Sequence, residues 1–135
     1  MPELPEVETT VIGLKKKVLT RTFLALWTDT PKIIRRPSLS VLQKQLIGKK
    51  IIDIQRRAKN IFIFLSQDFI LLVHLKMTGH LLVGKWKLQK NKWVAEGKGE
   101  LSQDPMNGFL RIIFTLDNGS QLALSDLRKF AKIEL

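Results

Sequence analysis

Residues 109–124 have the sequence FLRIIFTLDNGSQLAL. Two apolar runs, Phe109–Leu116 and Ser120–Leu124, flank the polar stretch Asp117-Asn118-Gly119. An Asn-Gly pair between two apolar runs is a strong short-range signal for a β-hairpin. This stretch therefore predicts two paired antiparallel strands near the end of the chain.

Outward from this hairpin, six more short segments have the composition and spacing of strands. They are Thr22–Asp29, Lys50–Arg57, Asn60–Leu65, Phe69–Leu75, His80–Val83 and Ala131–Leu135. About eight strands at close spacing, separated by turn residues, favour an antiparallel β-sandwich or barrel.

The first segment differs, because its apolar residues recur with the period of a helix. Its apolar stripe consists of Leu4, Val7, Val11, Leu14 and Val18. A second, short helix is predicted at Ser38–Leu46, with Ser38 as its N-cap and Gly48 as its stop. The expected fold is α+β and mainly β: an antiparallel β-sandwich with a long N-terminal helix and one short helix.

The composition limits the classes of protein. A chain of 135 residues has room for one domain, and its 44% of hydrophobic residues can form a core. No cysteine is present, which excludes disulfides and thiolate metal sites. The net charge of +11 favours a polyanionic partner, nucleic acid first; a ribosomal or merely solubilised surface is the alternative.

The first residues indicate amine chemistry. Initiator Met is usually removed before a small residue such as Pro, which leaves Pro2 with a free secondary amine. An α-amino group titrates near ~7.7, so part of it is nucleophilic at neutral pH. Such an amine can attack a sugar C1′ and form an iminium ion, while Glu3 moves the protons. The alternative is that Pro and Glu simply suit a helix start.

Residues 84–108 fit no clean pattern and are interpreted as a long excursion between strands. Several lysines alternate there with Trp86 and Trp93. Basic and stacking groups together are typical of nucleic-acid binding. Alternatively, the tryptophans pack on the sandwich and the lysines are solvated.

Five short stretches of sequence, taken in order along the chain, carry further information. The stretches are MPELPEVET at 1–9, RRAK at 56–59, HLKMTG at 74–79, FTLDNG at 114–119 and DLRKFA at 126–131. Each resembles a motif of the formamidopyrimidine-DNA glycosylases, bacterial base-excision enzymes that remove oxidised purines. Together they span nearly the whole chain.

The resemblance implies a bifunctional DNA glycosylase and AP lyase that excises 8-oxoguanine and formamidopyrimidines and then cleaves by β,δ-elimination. It makes Pro2 the nucleophile, Glu3 the general acid/base and Lys59 the ligand of a phosphate beside the lesion. Glu6 supports the site from the same helix start. His74 either contacts a phosphate or is satisfied at a strand end.

Enzymes of this kind extrude the damaged base, and the gap must be filled. By resemblance, Met77, Arg128 and Phe130 fill it. The chain departs from the family at Lys76, which stands where the family has Gly. Either that turn avoids a Gly-only backbone angle or Lys76 is strained. Leu127, Lys129 and Ala131 replace Pro, Arg and Gly in the second turn.

Family members continue into a helix-two-turn-helix domain and usually a zinc finger. Residues 1–135 are therefore expected to be the N-terminal catalytic domain alone, with no cofactor of its own and zinc only in the missing part. The expected partner is double-stranded damaged DNA, bound by a monomer. The protein is expected in the bacterial cytoplasm, associated with the nucleoid and not with a membrane.

Two other functions stay open. One is a non-catalytic DNA-binding module of the same fold; the other is an endonuclease VIII-type glycosylase for oxidised pyrimidines. The start Pro2-Glu3-Leu4-Pro5 favours the purine branch. A chain that retains Met1 is expected to be inert, because its Pro2 nitrogen is then an amide whose lone pair is delocalised.

Overall fold

The computed structural model describes residues 4–76, 78–90, 92–96, 105–129 and 131–135. These residues form two α-helices, α1 (Leu4–Val18) and α2 (Leu39–Leu46), and short 3-10 turns at Pro31–Ile33, Ser66–Asp68 and Pro105–Phe109. They also form eleven strands. The strands are β1 (Phe23–Thr28), β2 (Ile34–Arg36), β3 (Ile51–Arg57), β4 (Asn60–Leu65), β5 (Ile70–His74), β6 (Gly79–Gly84), β7 (Trp86–Gln89), β8 (Lys92–Ala95), β9 (Leu110–Leu116), β10 (Gln121–Asp126) and β11 (Lys132–Glu134).

The strands form two main sheets that share one core. Four strands lie in the order β1-β9-β10-β6, and five lie in the order β2-β11-β5-β4-β3. Phe23 and Phe114 of the first sheet belong to the same buried cluster as Ile54, Ile63 and Val73 of the second. The predicted β-sandwich is therefore confirmed.

The predicted hairpin lies in the first sheet. β9 and β10 pair in antiparallel fashion, with Leu122 opposite Phe114. Gly119 has φ +86°, a left-handed angle that glycine adopts without a Cβ clash.

The two helices contribute to the same structure. In α1, Val11, Leu14 and Val18 are buried in the shared core, as the stripe predicts. The Ser38 hydroxyl accepts a bond from the Val41 N–H and so caps α2. None of the helices in the described residues is long and apolar enough to cross a membrane.

Two details of the predicted fold need correction. The described residues contain eleven strands instead of about eight, because β2, β7 and β8 add to the eight predicted segments. β2 has only three residues, lies outside the eight predicted segments and pairs with β11 in parallel. The second sheet is therefore mixed. β7 and β8 form a hairpin of their own in the segment predicted to be an excursion.

Helix α1 runs antiparallel to β3. The Thr20 N–H, just after α1, donates to Ile51 at the start of β3, whereas Lys15 lies 3.5 Å from Asp53, two residues further along. Near its end, α1 therefore lies beside the first half of β3.

Candidate functional site

Three turns meet at one end of the sandwich, and we call them the turn cluster; their described residues are 58–59, 75–76 with 78, and 127–129 with 131. They join β3 to β4, β5 to β6 and β10 to β11. The Leu75 N–H donates to the Lys59 carbonyl at 3.1 Å. In the sheets, His74 lies between Asn60 and Lys132, and Gly79 lies opposite Asp126. The topology thus brings together three motifs that are distant in sequence.

Lys59 lies in the first of these turns. Its side chain is half-buried, directly after Ala58, whose φ is +55°. The turn is held by the bond from Leu75, so the backbone of Lys59 is fixed by the neighbouring turn. A lysine ammonium on a fixed turn beside other cations suits a point-charge contact with phosphate.

Arg128 lies in the third turn and is exposed. Its backbone N–H donates to Oδ1 of Asp126 at 3.1 Å, which fixes where the side chain leaves the turn. Arg57 and Lys76 are exposed in or beside the other two turns. The cluster therefore presents several positive charges at one end of the molecule.

The backbone of the turn cluster has an unusual feature in common. Ala58, Lys76 and Lys129 have φ of +55°, +57° and +59°. Left-handed angles cost a residue with a Cβ roughly 1–2 kcal/mol. Of the two predicted alternatives for Lys76, the structure shows the strained one. Each of these residues comes directly before a predicted site residue, at positions 59, 77 and 130.

His74 has partners for both ring nitrogens. Nδ1 lies 2.7 Å from Oδ1 of Asn60, and Nε2 lies 3.0 Å from Oε2 of Glu134. Its side chain is only 15% exposed. This geometry favours the alternative of a satisfied strand-end histidine over a phosphate contact. Asn60 and Glu134 were not predicted, because only the strand register shows that they flank His74.

Glu134 is the centre of a small ionic group on β11. The hydrogen bond from His74, followed by the bond and charge of Arg36 and the charge of Arg35, holds the pKa of the Glu134 carboxyl below its ordinary value of 4.5, against the opposing effect of burial. The Arg36 Nε lies 3.0 Å from the carboxylate. These contacts tie β11 to β2 and β5, next to the turn cluster.

Four predicted site residues, Pro2, Glu3, Met77 and Phe130, lie outside the described residues. The backbone of Glu6 belongs to α1, but its side chain is outside the described part. Among the residues that the structure describes, no three His, Asp or Glu side chains are grouped so that they could hold a metal ion.

The β7–β8 hairpin settles the interpretation of the two tryptophans. Trp86 is buried, and its Nε1–H donates to Asn107 at 2.9 Å. Trp93 packs edge-on against Trp27, with ring centroids 5.6 Å apart. Both belong to a second apolar cluster on the outer face of the first sheet. The packing alternative therefore holds for these rings.

Comparison with known proteins agrees with this architecture. Residues 1–133 match the family model described as the formamidopyrimidine-DNA glycosylase N-terminal domain. The formamidopyrimidine-DNA glycosylase of Pelotomaculum thermopropionicum is 37% identical over 135 residues, all of this chain and 43% of the relative. That of Enterococcus faecalis is 36% identical over 137 residues and is covered to 42%. The chain thus spans less than half the length of these curated relatives.

Solved structures give the same result. A complex of the Lactococcus lactis enzyme with DNA containing an abasic site has a TM-score of 0.76 and 26% identity, over 98% of this chain and 43% of that one. A complex of MutM with DNA containing carbocyclic 8-oxo-G has a TM-score of 0.77 and 26% identity, over 98% of this chain and 43% of that one.

Proposed function

Because the chain belongs to the formamidopyrimidine-DNA glycosylase family, we propose that it is the catalytic domain of a base-excision repair enzyme. The enzyme removes oxidised purines, 8-oxoguanine and formamidopyrimidines, and cleaves the resulting abasic strand. The observation that carries this proposal is the turn cluster, which places Lys59 and Arg128 at one end of the sandwich. The damaged DNA in the related complexes supports it.

The reaction begins at the N-terminal amine. The lone pair of the Pro2 nitrogen attacks C1′ of the damaged nucleotide, and the C1′–base bond breaks with its electron pair leaving on the base. The Pro2 nitrogen loses its proton as the departing base takes one up, and Glu3 then protonates O4′ as the C1′–O4′ bond breaks, which leaves an iminium ion between Pro2 and C1′. Proton loss from that ion starts the β- and δ-eliminations that cleave the strand. Glu6 supports Glu3 from the same helix.

Binding places the lesion at this amine. Lys59 neutralises a phosphate beside the lesion, and the extruded base leaves a gap in the duplex. Met77 and Phe130 fill the gap with apolar side chains, and Arg128 bonds the orphaned base. The exposure of Arg128 on a fixed turn is consistent with that role.

The domain by itself binds DNA weakly. Its charge of +11 supplies nonspecific affinity, which is typically ~10⁻⁴–10⁻⁶ M at physiological salt. The rest of a family-length protein, with its zinc finger, supplies the other half of the DNA clamp. Such a protein acts as a monomer on nucleoid DNA in the bacterial cytoplasm.

Borohydride trapping on a duplex with one abasic site tests this function. Borohydride reduces an iminium ion to a stable amine, so a protein of full family length freed of Met1 is expected to give a covalent adduct that maps to Pro2. Matched protein that retains Met1 is expected to give none, since its Pro2 nitrogen is an amide.

Each other result has a distinct meaning. An adduct from the Met1-bearing protein would assign the nucleophile to another group, such as Lys59. If neither protein gave an adduct while both still bound DNA, the chain would be a non-catalytic DNA-binding module. On a lesion panel, preference for oxidised pyrimidines would assign the endonuclease VIII-type activity instead.

A further inference from the structure

Asp126, the last residue of β10, has a wholly buried carboxylate, although it lies beside exposed turns. Its Oδ1 accepts bonds from the Thr78 hydroxyl and from the Arg128 N–H, the latter at 3.1 Å. Its Oδ2 accepts the Ala131 N–H at 2.7 Å. One donor belongs to the turn after β5, and the other two belong to the turn after β10.

These hydrogen bonds compensate for the burial of the Asp126 carboxylate. A buried carboxylate destabilises a fold unless its oxygens are hydrogen-bonded, and bonds from N–H and O–H donors to an ionised acceptor are among the strongest. The backbone of Asp126 is fixed as well, since its carbonyl accepts from the Arg111 Nε at 2.9 Å. The carboxylate therefore occupies one defined position between the two turns.

The two turns also pack closely. A Cβ placed on Gly79 would lie 2.5 Å from the Leu75 carbonyl oxygen and 3.1 Å from the Ala131 Cβ. Only a residue without a side chain fits at that point. The turn after β5 thus rests directly on the turn after β10, and the Asp126 carboxylate connects them by hydrogen bonds.

We propose that Asp126 is a positioning residue that couples these two turns, so that Arg128 is presented to the gap in the duplex from a turn that is fixed to its neighbour. The proposal rests on the proposed function for its role in DNA. Lys76 and Lys129, one in each turn, have left-handed backbones. Such strained conformations persist only where the surroundings fix them, and the bonds to Asp126 do so on both sides.

Thr78 allows the coupling to be cut without removing the carboxylate. Thr78→Val has nearly the same shape but no hydroxyl, and Thr78→Ser keeps the hydroxyl and serves as the matched control. Amide hydrogen exchange of the free protein is measured first. Exchange at Arg128 and Ala131, in the other turn, is expected to rise at least about tenfold in Thr78→Val, the effect of a lost bond to a charged group. Thr78→Ser should match the wild type.

Asp126→Asn is the second variant. Its amide offers one acceptor oxygen instead of two, so exchange at Ala131 or at Arg128 should rise even if the Thr78 bond persists. If this variant does not fold, the Thr78 pair still decides the question. Exchange at 128 and 131 that is equal in Thr78→Val and wild type would overturn the coupling.

The DNA readout uses a duplex with a tetrahydrofuran abasic analogue and 2-aminopurine beside the gap. At equal occupancy, the fluorescence rise that reports unstacking should be lost in Thr78→Val and restored in Thr78→Ser. Affinity for undamaged duplex should be equal in all three proteins. If Thr78→Val still unstacked 2-aminopurine as fully as the wild type, the coupling through Asp126 would have no role in filling the gap in DNA. Failure of borohydride trapping would instead contradict the proposed chemistry and leave the exchange result standing.

Discussion

The turn cluster and the β7–β8 hairpin contain similar kinds of residues, basic side chains next to large apolar ones, but they arrange them in opposite ways. In the hairpin, Trp86 and Trp93 lie on the side that packs on the first sheet, whereas Lys87 pairs with Val94 on the other side. In the turn cluster, Arg128 is held outward by a turn whose backbone is bonded to a buried carboxylate.

The difference shows that composition alone does not identify a nucleic-acid surface. Lysines and tryptophans at alternating positions of a short strand separate to its two faces, since neighbouring side chains point in opposite directions. The tryptophans then contribute to stability and the lysines to solubility. Function is expected where a buried, hydrogen-bonded group fixes the backbone that presents an exposed cation, as Asp126 does for Arg128.

The largest effect is expected from Glu3, the proposed general acid/base. In a protein of full family length and without Met1, Glu3→Gln should lower the rate of base release by on the order of 10²–10⁴ while DNA binding persists, because Gln cannot move a proton. Single-turnover excision of 8-oxoguanine measures it. The control is Glu96→Gln after the hairpin, the same chemical change on an exposed residue, which should leave the rate unchanged.

The hairpin should give the largest effect on stability. Trp86→Ala is expected to lower the free energy of unfolding by about 3–5 kcal/mol, because the ring is buried and large. Lys87→Ala on the opposite side should change it by less than about 0.5 kcal/mol. Urea denaturation measures both. If Trp86→Ala left the stability unchanged and weakened DNA binding, the hairpin would be a second DNA contact and would not differ from the turn cluster in this respect.

DNA binding, in contrast to stability, should depend on the turn cluster and not on the hairpin. Lys59→Ala is expected to weaken binding and to reduce the slope of log K against log salt by about one, the effect of one lost phosphate contact. Lys87→Ala removes the same charge from the hairpin and should leave the slope nearly unchanged. Fluorescence anisotropy at several salt concentrations measures both. Equal slopes for the two variants would refute a special role for Lys59.

The sequence predicts most of the sandwich, because long apolar runs with turn signals mark its strands. The three missed strands have physical reasons. β2 has three residues, and two of them, Arg35 and Arg36, are exposed. No alternation of apolar and polar residues therefore marks it as a strand. The β7–β8 turn contains Lys90 with φ +48° where glycine would normally mark a left-handed turn.

Of the candidate site, Lys59 and Arg128 follow from the resemblance, and the structure places their turns on either side of the turn after β5. The bond between Thr78 and Asp126 could not be predicted, since it joins residues 48 positions apart whose types are ordinary in turns. The same holds for His74 and Glu134, separated by 60 positions. Such contacts depend on strand register, which no local pattern determines.

Support of the turn cluster by β11 should depend on pH. The lowered pKa of Glu134 means that its bonds stabilise the fold fully above its ordinary value of 4.5, and that this stability is lost as the pH falls through the lower folded pKa. Glu134→Gln should therefore cost about 1.5 kcal/mol at pH 7, as expected for bonds to a charged group, and much less near pH 3. Thermal unfolding of both proteins across this range measures it.

Asp53→Asn is the matched control for that comparison. The pKa of Asp53 is also lowered, mainly by its bond from Gln55, but its side chain is 39% exposed, so solvent screens its interactions. Its substitution should change stability little at either pH. A difference between wild type and Glu134→Gln that stays constant from pH 7 to pH 3 would show that the contribution of Glu134 is packing and not charge.

The smallest expected effect concerns Lys76, where the turn cluster stores strain. Lys76→Gly should relieve roughly 1–2 kcal/mol of left-handed strain. It should lose roughly 0.5–1 kcal/mol because glycine is more flexible in the unfolded chain. The net result is a gain of at most about 1.5 kcal/mol in the free energy of unfolding, measured by urea denaturation. Lys76→Ala separates backbone from charge: it removes the ammonium but keeps the Cβ and its strain, so it should not stabilise. An equal gain from Lys76→Ala would attribute the effect to the exposed charge and would contradict a contribution from backbone strain at this position.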